Sequence, residues 1–348
     1  MTMPRHSQVS LDDTPWYHCV SRCVRQAYLC GSDYTTGKSY EHRRDWVVQR
    51  IKQIAAIFTI DVASYAVMSN HYHIVVRVDN ERPYEMSTRE VIKRWTQLYT
   101  GPLIVNRYLT DKQSEMSEGE LFQVEKMAAV YRDRLCDLSW FMKNINEFIA
   151  RKANKEDKAK GHFWESRYKC QSLLDEKALL TAMAYVDLNP VRAVMASTPE
   201  DSEFTSVYDR IKEIKECQLE SDASTDETPL LPVNEKKLSD SVAPLMPFDA
   251  TGTLPWAIPF DLQDYLELLD WSGRIIHPDK RGSIDEQVPP ILKRIAINPA
   301  LFIQCASDFL YVFGLAVGSP QAMAACCMRR QLKYLRGMKA AKEMLGAA

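Results

Sequence analysis

The chain has no C-x-x-C pair, no long apolar run and no overall excess of positive charge. Its nine cysteines are odd in number; Cys19, Cys23 and Cys30 lie near one another, and Cys326 and Cys327 are adjacent. That spacing excludes a zinc ribbon and a secreted disulfide framework. It favours reduced thiols in a cytosolic protein. The opening MTMPRHSQVSLDD lacks an apolar signal core. No stretch reaches the ~20 apolar residues of a membrane span, and the C-terminal run FLYVFGLAVG is too short. The expectation is a cytoplasmic protein with no membrane partner. A formal net charge of -2 removes the global basic signature of many nucleic-acid binders. No internal repeat is visible.

What is present is ordinary globular usage: 348 residues, 46% hydrophobic and 26% charged, enough for one large domain or two ordinary ones. Charge is uneven. Residues 1–200 carry a small positive balance and the remainder a negative one. The basic excess peaks over 151–170 (RKANKEDKAKGHFWESRYKC), with seven Lys and Arg against three acids. Such a strip suits a solvated helix end. It also suits phosphate contacts, with Phe163, Trp164 and Tyr168 interleaved as stacking faces.

The stretch SYAVMSNHYHIVVRV carries the first chemical signal. Read with period 2, Tyr72, Ile74, Val76 and Val78 share one face, and His71, His73, Val75 and Arg77 share the other. This predicts a half-buried strand. Both imidazoles leave it on the same side, roughly 6–7 Å apart along the strand, and can converge on one metal ion. The same pattern suits surface histidines or satisfied polar contacts, so a third ligand and a reaction must come from elsewhere.

Around this strand the pattern predicts further elements. TPWYHCVSRCVRQAYLCG reads as a first strand, with Trp16, His18, Val20 and Arg22 on one face. SYEHRRDWVVQRIKQIAAIF reads as a helix and TIDVASYAVM as a second strand, with Ser69-Asn70 as a tight turn into the histidine strand. STREVIKRWTQLY begins with Ser87 and Glu90 in capping-box spacing. After a polar insertion, AVYRDRLCDLSWFMKNINEFIARKANKE reads as one long helix, GHFWESRYKCQSLL as a strand, and DEKALLTAMAYVDL as a helix capped by Asp175. The plan is α+β: a ferredoxin-like antiparallel sheet with helices on one face. Residues 1–217 form that domain. Residues 218–245 are acidic, Ser/Thr-rich and Pro-containing, and read as a linker. Residues 246–348 read as a mostly helical region, with the segment DLQDYLELLDW, the loop DKRGSID and a basic helix QAMAACCMRRQLKYLRGMKAAKEML. That last helix is either a DNA contact or a solvated amphipathic face.

On the helix DEKALLTAMAYVDLN, projected at about 100° per residue, Tyr185 sits among Ala178, Thr181 and Ala182, with Asn189 one turn on. Small neighbours leave room for something bulky to approach the phenol. Pro190 ends or kinks the helix at Asn189. The alternative is that Tyr185 packs on the sheet and Asn189 caps the helix.

NHYH on a strand, then FWESRYKCQ, then AYVDLNPVRA, in that order, resemble the single-tyrosine HUH transposases. The nearest branch is the REP-associated tyrosine transposases, relatives of small insertion-sequence transposases. The resemblance covers roughly residues 14–200 and leaves the insertion at 101–130 and everything after 218 outside the compact family core. It implies an HUH endonuclease fold, with His71 and His73 as ligands of a divalent ion, Mg²⁺ or Mn²⁺. It implies Tyr185 as nucleophile and Asn189 as third ligand. It further implies a single-stranded DNA partner folded as a hairpin, cleaved and rejoined through a 5′-phosphotyrosine, by a monomer or a homodimer. Trp164, Arg167, Tyr168 and Lys169 are the expected DNA contacts; the rival reading places Trp164 and Tyr168 in the core. Other functions open at this point are a non-catalytic DNA-binding descendant, a metal hydrolase using water, and a regulatory protein whose C-terminal unit binds a partner.

Overall fold

The computed structural model describes residues 8–24, 29–32, 37–223, 242–276 and 288–345. Its strands are β1 (Trp16–Arg22), β2 (Ile60–Val67), β3 (His71–Val78), β4 (Lys169–Leu173) and β5 (Ala316–Val317). They form one sheet in the order β2-β3-β1-β4-β5. β1 pairs antiparallel with β3 and with β4, β2 pairs antiparallel with β3, and β5 lies parallel to β4. The sheet is therefore mixed. Its first four strands form the split βαβ arrangement, with β3 between β1 and β2. The turn at Ser69-Asn70 closes the expected hairpin, Met68 N–H donating to the His71 carbonyl at 2.8 Å.

The helices are α1 (Arg43–Ile57), α2 (Arg82–Glu85), α3 (Thr88–Trp95), α4 (Leu103–Tyr108), α5 (Glu118–Leu135), α6 (Leu138–Glu156), α7 (Glu176–Asp187), α8 (Asn189–Arg192) and α9 (Ser206–Ala223). They continue with α10 (Leu262–Ile276), α11 (Pro290–Arg294), α12 (Pro299–Val312), α13 (Pro320–Arg329) and α14 (Met338–Met344). Both N-caps form, the Ser87 side chain accepting from Glu90 N–H and the Asp175 side chain from Ala178 N–H at 2.9 Å; the capping box expected at Ser87 is half made, because the Glu90 carboxylate accepts from Arg94 instead.

Helices cover both faces of the sheet, not one as the sequence pattern led us to expect. On one face Tyr17, Cys19, Tyr72, Ile74 and Val76 pack with α1 and α6 through Val47, Ile51, Phe141 and Ile145. On the other, Ala63, Ala66, Val75 and Leu173 pack with α7, and with Leu268 of α10 and Phe302 and Phe309 of α12. The reason lies in β3 itself. Its β-branched residues fall on both faces, and the buried run Tyr72–Val76 is that of a strand covered on both sides, where apolar residues need not alternate with polar ones.

Three boundaries also differ. The long helix breaks at Cys136–Asp137, where the Asp137 carboxylate accepts from Ser139 and Trp140 N–H and starts α6 as a fresh N-cap. The basic C-terminal helix is two short helices, α13 and α14, parted by Gly337 at φ +99°. A Cβ there would stand 2.5 Å from a ring carbon of Phe313, so only glycine fits. The strand expected over GHFWESRYKCQSLL shortens to β4, with Trp164 in an isolated bridge to Cys23.

Residues 246–348 add β5 to the sheet and share the second core with α7. The expected linker overlaps α9, which runs to Ala223; residues 224–241 lie outside the described residues, as does the loop DKRGSID. Because Phe302 is fully buried in that shared core, Phe302→Ala should cost about 3–5 kcal/mol by urea denaturation. Hydrogen-exchange protection of α7 should fall with it. Unchanged protection of α7 would show that the two segments do not depend on one another.

Candidate functional site

Strand register gathers the candidate residues. His71 and His73 leave β3 on the face covered by α7. In the β1–β3 pairing Val20 stands opposite His73, so His18, two residues from Val20, shares that face. In the β1–β4 pairing His18 stands opposite Gln171. A row of polar side chains thus crosses three strands inside an apolar layer. Gln171 Oε1 lies 3.0 Å from His18 Nδ1, and His18 Nε2 lies 3.0 Å from His73 Nδ1. His73 Nε2 is buried and has no partner. The His71 ring stands edge-on to His73 at 4.8 Å, with its Nδ1 2.6 Å from Asn70 Oδ1.

α7 brings the tyrosine beneath this row. The Tyr185 ring centroid is 5.4 Å from that of His73 and 5.9 Å from that of His18, both edge-on. Its other neighbour is Phe309 of α12, stacked at 5.4 Å. α7 ends at Asp187, and Pro190 sits in the first turn of α8, as the proline predicts. The turn carries Arg192 back over Tyr185: its guanidinium carbon is 4.6 Å from the ring centroid. Arg192 Nη2 donates to Asn189 Oδ1 at 2.7 Å and stands 3.4 Å from the Tyr185 hydroxyl. The end of α7 is held by Asp187, fully buried, whose carboxylate accepts from Ser206 Oγ, Val207 N–H and Tyr265 Oη.

His73 is therefore in ring contact with both His71 and Tyr185, and Asn189 joins Tyr185 through Arg192. The expected DNA contacts divide. Arg167 and Lys169 are exposed and, with Gln171 and Gly314, line a groove of about 340 Å³. Tyr168 is instead a core residue, its hydroxyl 3.4 Å from that of Ser139. Trp164 is half-buried; its indole N–H donates to the Asn146 carbonyl at 2.8 Å and its ring meets Tyr72. Four residues of the site had no role at the sequence level: His18, Gln171, Arg192 and Phe309. His18 carried a signal, since its strand face was visible. That this face is also the histidine face of β3 follows only from strand adjacency and register.

Burial keeps all three imidazoles uncharged. It pulls His18 down to about 4, with Gln171 opposing. It pulls His71 down to about 3, helped by the charges of Arg22 and Arg192. It holds His73 well below the usual range, helped by the other two rings and both guanidiniums. Among the described residues, no three His, Cys, Asp or Glu side chains form a metal cage. The donors on offer are imidazole nitrogens and an amide oxygen. His71, with Nδ1 engaged by Asn70, has Nε2 to offer; His73 Nε2 is unpartnered; Asn189 Oδ1 carries one hydrogen bond and keeps a second lone pair. This mixed nitrogen and oxygen set fits a divalent ion that also takes oxygen from a phosphate.

No family model, curated protein or solved structure matches the chain. No helix among the described residues is long and apolar enough to cross a membrane.

The histidine shifts fix a sign. In the unfolded chain a histidine titrates near 6.5, and folded His18 titrates at about 4. Between these values the unfolded state binds the extra proton, so stability falls as pH drops. Above 6.5 the contribution is complete. We expect wild type to lose more stability than His18→Leu between pH 7 and pH 4.5, by on the order of 2 kcal/mol, in urea titrations. Equal losses would mean that His18 is not held neutral by burial.

Proposed function

We propose that the protein is a metal-dependent single-tyrosine transesterase of single-stranded DNA, of the HUH transposase kind, acting beside hairpins. The observation that carries this reading is the packing of the Tyr185 ring against His73, whose Nε2 is buried without a partner. Buried polar atoms are nearly always paired, and an orphaned imidazole lone pair beside a phenol suits an electrophile brought in with a phosphodiester.

His71, His73 and Asn189 are the residues that would hold the ion. A divalent ion such as Mg²⁺ or Mn²⁺, when bound, supplies Lewis-acid polarisation of the scissile phosphate. Tyr185 Oη attacks phosphorus in line; its O–P bond forms as the bond to the 3′-oxygen breaks. The phenol proton passes to solvent and the leaving 3′-oxygen takes one up. The product is a 5′-phosphotyrosine and a free 3′-hydroxyl. One phosphodiester is exchanged for another, so a second 3′-hydroxyl reverses the step without an energy source. Arg192, beside both Tyr185 and Asn189, would pair with the phosphate oxygens. Arg167 and Lys169 offer charge to the flanking backbone.

A second reading has its own support. Tyr185 is only 3% exposed, roofed by Phe309 and Arg192. A DNA-binding descendant without turnover would tolerate such closure, whereas an enzyme must open it.

Covalent capture separates the two. Hairpin oligonucleotides drawn from the DNA flanking the gene are incubated with protein and Mn²⁺ or Mg²⁺, then run on a denaturing gel. Wild type should form a metal-dependent adduct; Tyr185→Phe and His71→Ala should form none, and Tyr185→Phe should keep hairpin binding within about twofold, as expected when only a transition-state contact is removed. Binding without adduct by wild type supports the descendant. Cleavage without adduct points to water as nucleophile.

A further inference from the structure

The C-terminal segment between α12 and β5 reaches the histidine row through Gln171. Gln171 Nε2 lies 2.8 Å from the Gly314 carbonyl and 3.4 Å from that of Phe313. Carbonyls only accept, so this end of the amide must be the NH₂. Gln171 Oε1 then faces His18 Nδ1, and that nitrogen must carry a hydrogen. A neutral His18 has its lone pair on Nε2, so across the 3.0 Å contact the donor is His73 Nδ1–H. A neutral His73 with hydrogen on Nδ1 has its lone pair on Nε2, the buried atom without a partner. Each bond fixes the next, and the first is fixed by backbone. That backbone is itself tied: Gly314 N–H donates to the Arg336 carbonyl at 3.2 Å, and Ser172 N–H donates to the Leu315 carbonyl at 2.8 Å.

We propose that residues 313–314 set the tautomer of His73 through Gln171 and His18, making these two side chains positioning residues for the metal-ligand nitrogen. The consequence for metal binding rests on the reading of His73 as a ligand; the tautomer relay does not. Partners of this kind hold a ligating imidazole in one orientation and raise its basicity, and their loss typically weakens metal affinity about 10–100-fold. The relay also gives the C-terminal region a task at the site without any contact with DNA.

The test is nitrogen-15 NMR of the imidazoles in the full-length, metal-free protein, followed by Mn²⁺ titration read by electron paramagnetic resonance. In wild type, His73 should show an unprotonated Nε2 and a protonated Nδ1, and His18 the same. A His73 protonated on Nε2 would overturn the proposal with no variant needed. Gln171→Leu should mix the His73 tautomers and weaken Mn²⁺ binding about 10–100-fold. An unchanged His73 tautomer in folded Gln171→Leu would also overturn the relay. If wild type has the expected tautomers yet binds no Mn²⁺, the relay stands and the metal reading fails.

Discussion

The site depends on the double pairing of β1. This strand hydrogen-bonds to β3 on one side and β4 on the other, and its register puts His18 on the histidine face and opposite Gln171. Because side chains alternate with period 2, a slip of one residue in the β1–β3 pairing would set His18 and His73 on opposite faces, and one in the β1–β4 pairing would do the same to His18 and Gln171. The core on the face of β1 opposite His18 contains Tyr17 and Cys19, both fully buried. Packing there, on α1 and α6, therefore fixes a polar row on the other side of the sheet.

Placing that row in an apolar layer has consequences for α7. An imidazole without water needs partners or must stay neutral, and these rings do both: they bond to one another and to an amide, and they are held uncharged. The helix above them is buried on all sides from Ala178 to Asp187, so it cannot tilt freely. Asp187 pins its end to α9 and α10, and Phe309 stacks on Tyr185 in its last turn. Tyr185 is consequently rigid and enclosed. On the proposed reading, that rigidity suits a nucleophile that must meet phosphorus in line. On the same reading, enclosure requires Arg192 or α12 to shift before a DNA strand can reach the phenol. The residues of α12 that would move lie next to the segment that orients Gln171, so access to the phenol and orientation of His73 share one stretch of chain.

Much of the first four strands was legible because it rests on local chemistry. The period-2 run in β3, the Ser69-Asn70 turn, the caps at Ser87 and Asp175 and the stop at Pro190 each depend on a few adjacent residues. That His71 and His73 share one face of β3 was legible for the same reason. The remainder depends on distant contacts. Coverage of the second face required α10 and α12, more than 60 residues beyond α7 in the chain. Phe309 gave no sign in its own segment that it would roof Tyr185. Gln171 lay in a stretch read for its basic and aromatic residues, and an amide becomes informative only when its neighbours are known. Tyr168 and Trp164 show the converse: an aromatic in a basic run is compatible with stacking or with core, and local pattern does not separate these. The break at Asp137 was written in the sequence as a possible N-cap, but the helical periodicity on either side obscured it.

On the proposed reading, two imidazoles of β3 and the α7–α8 turn hold a divalent ion next to Tyr185. Crystals soaked in Mn²⁺, with diffraction recorded for anomalous signal, test it most directly. The expected result is a peak shared by Nε2 of His71 and Nε2 of His73, on the side of Asn189. No peak at the pair, or an ion bound elsewhere with His73 Nε2 still bare, would contradict it.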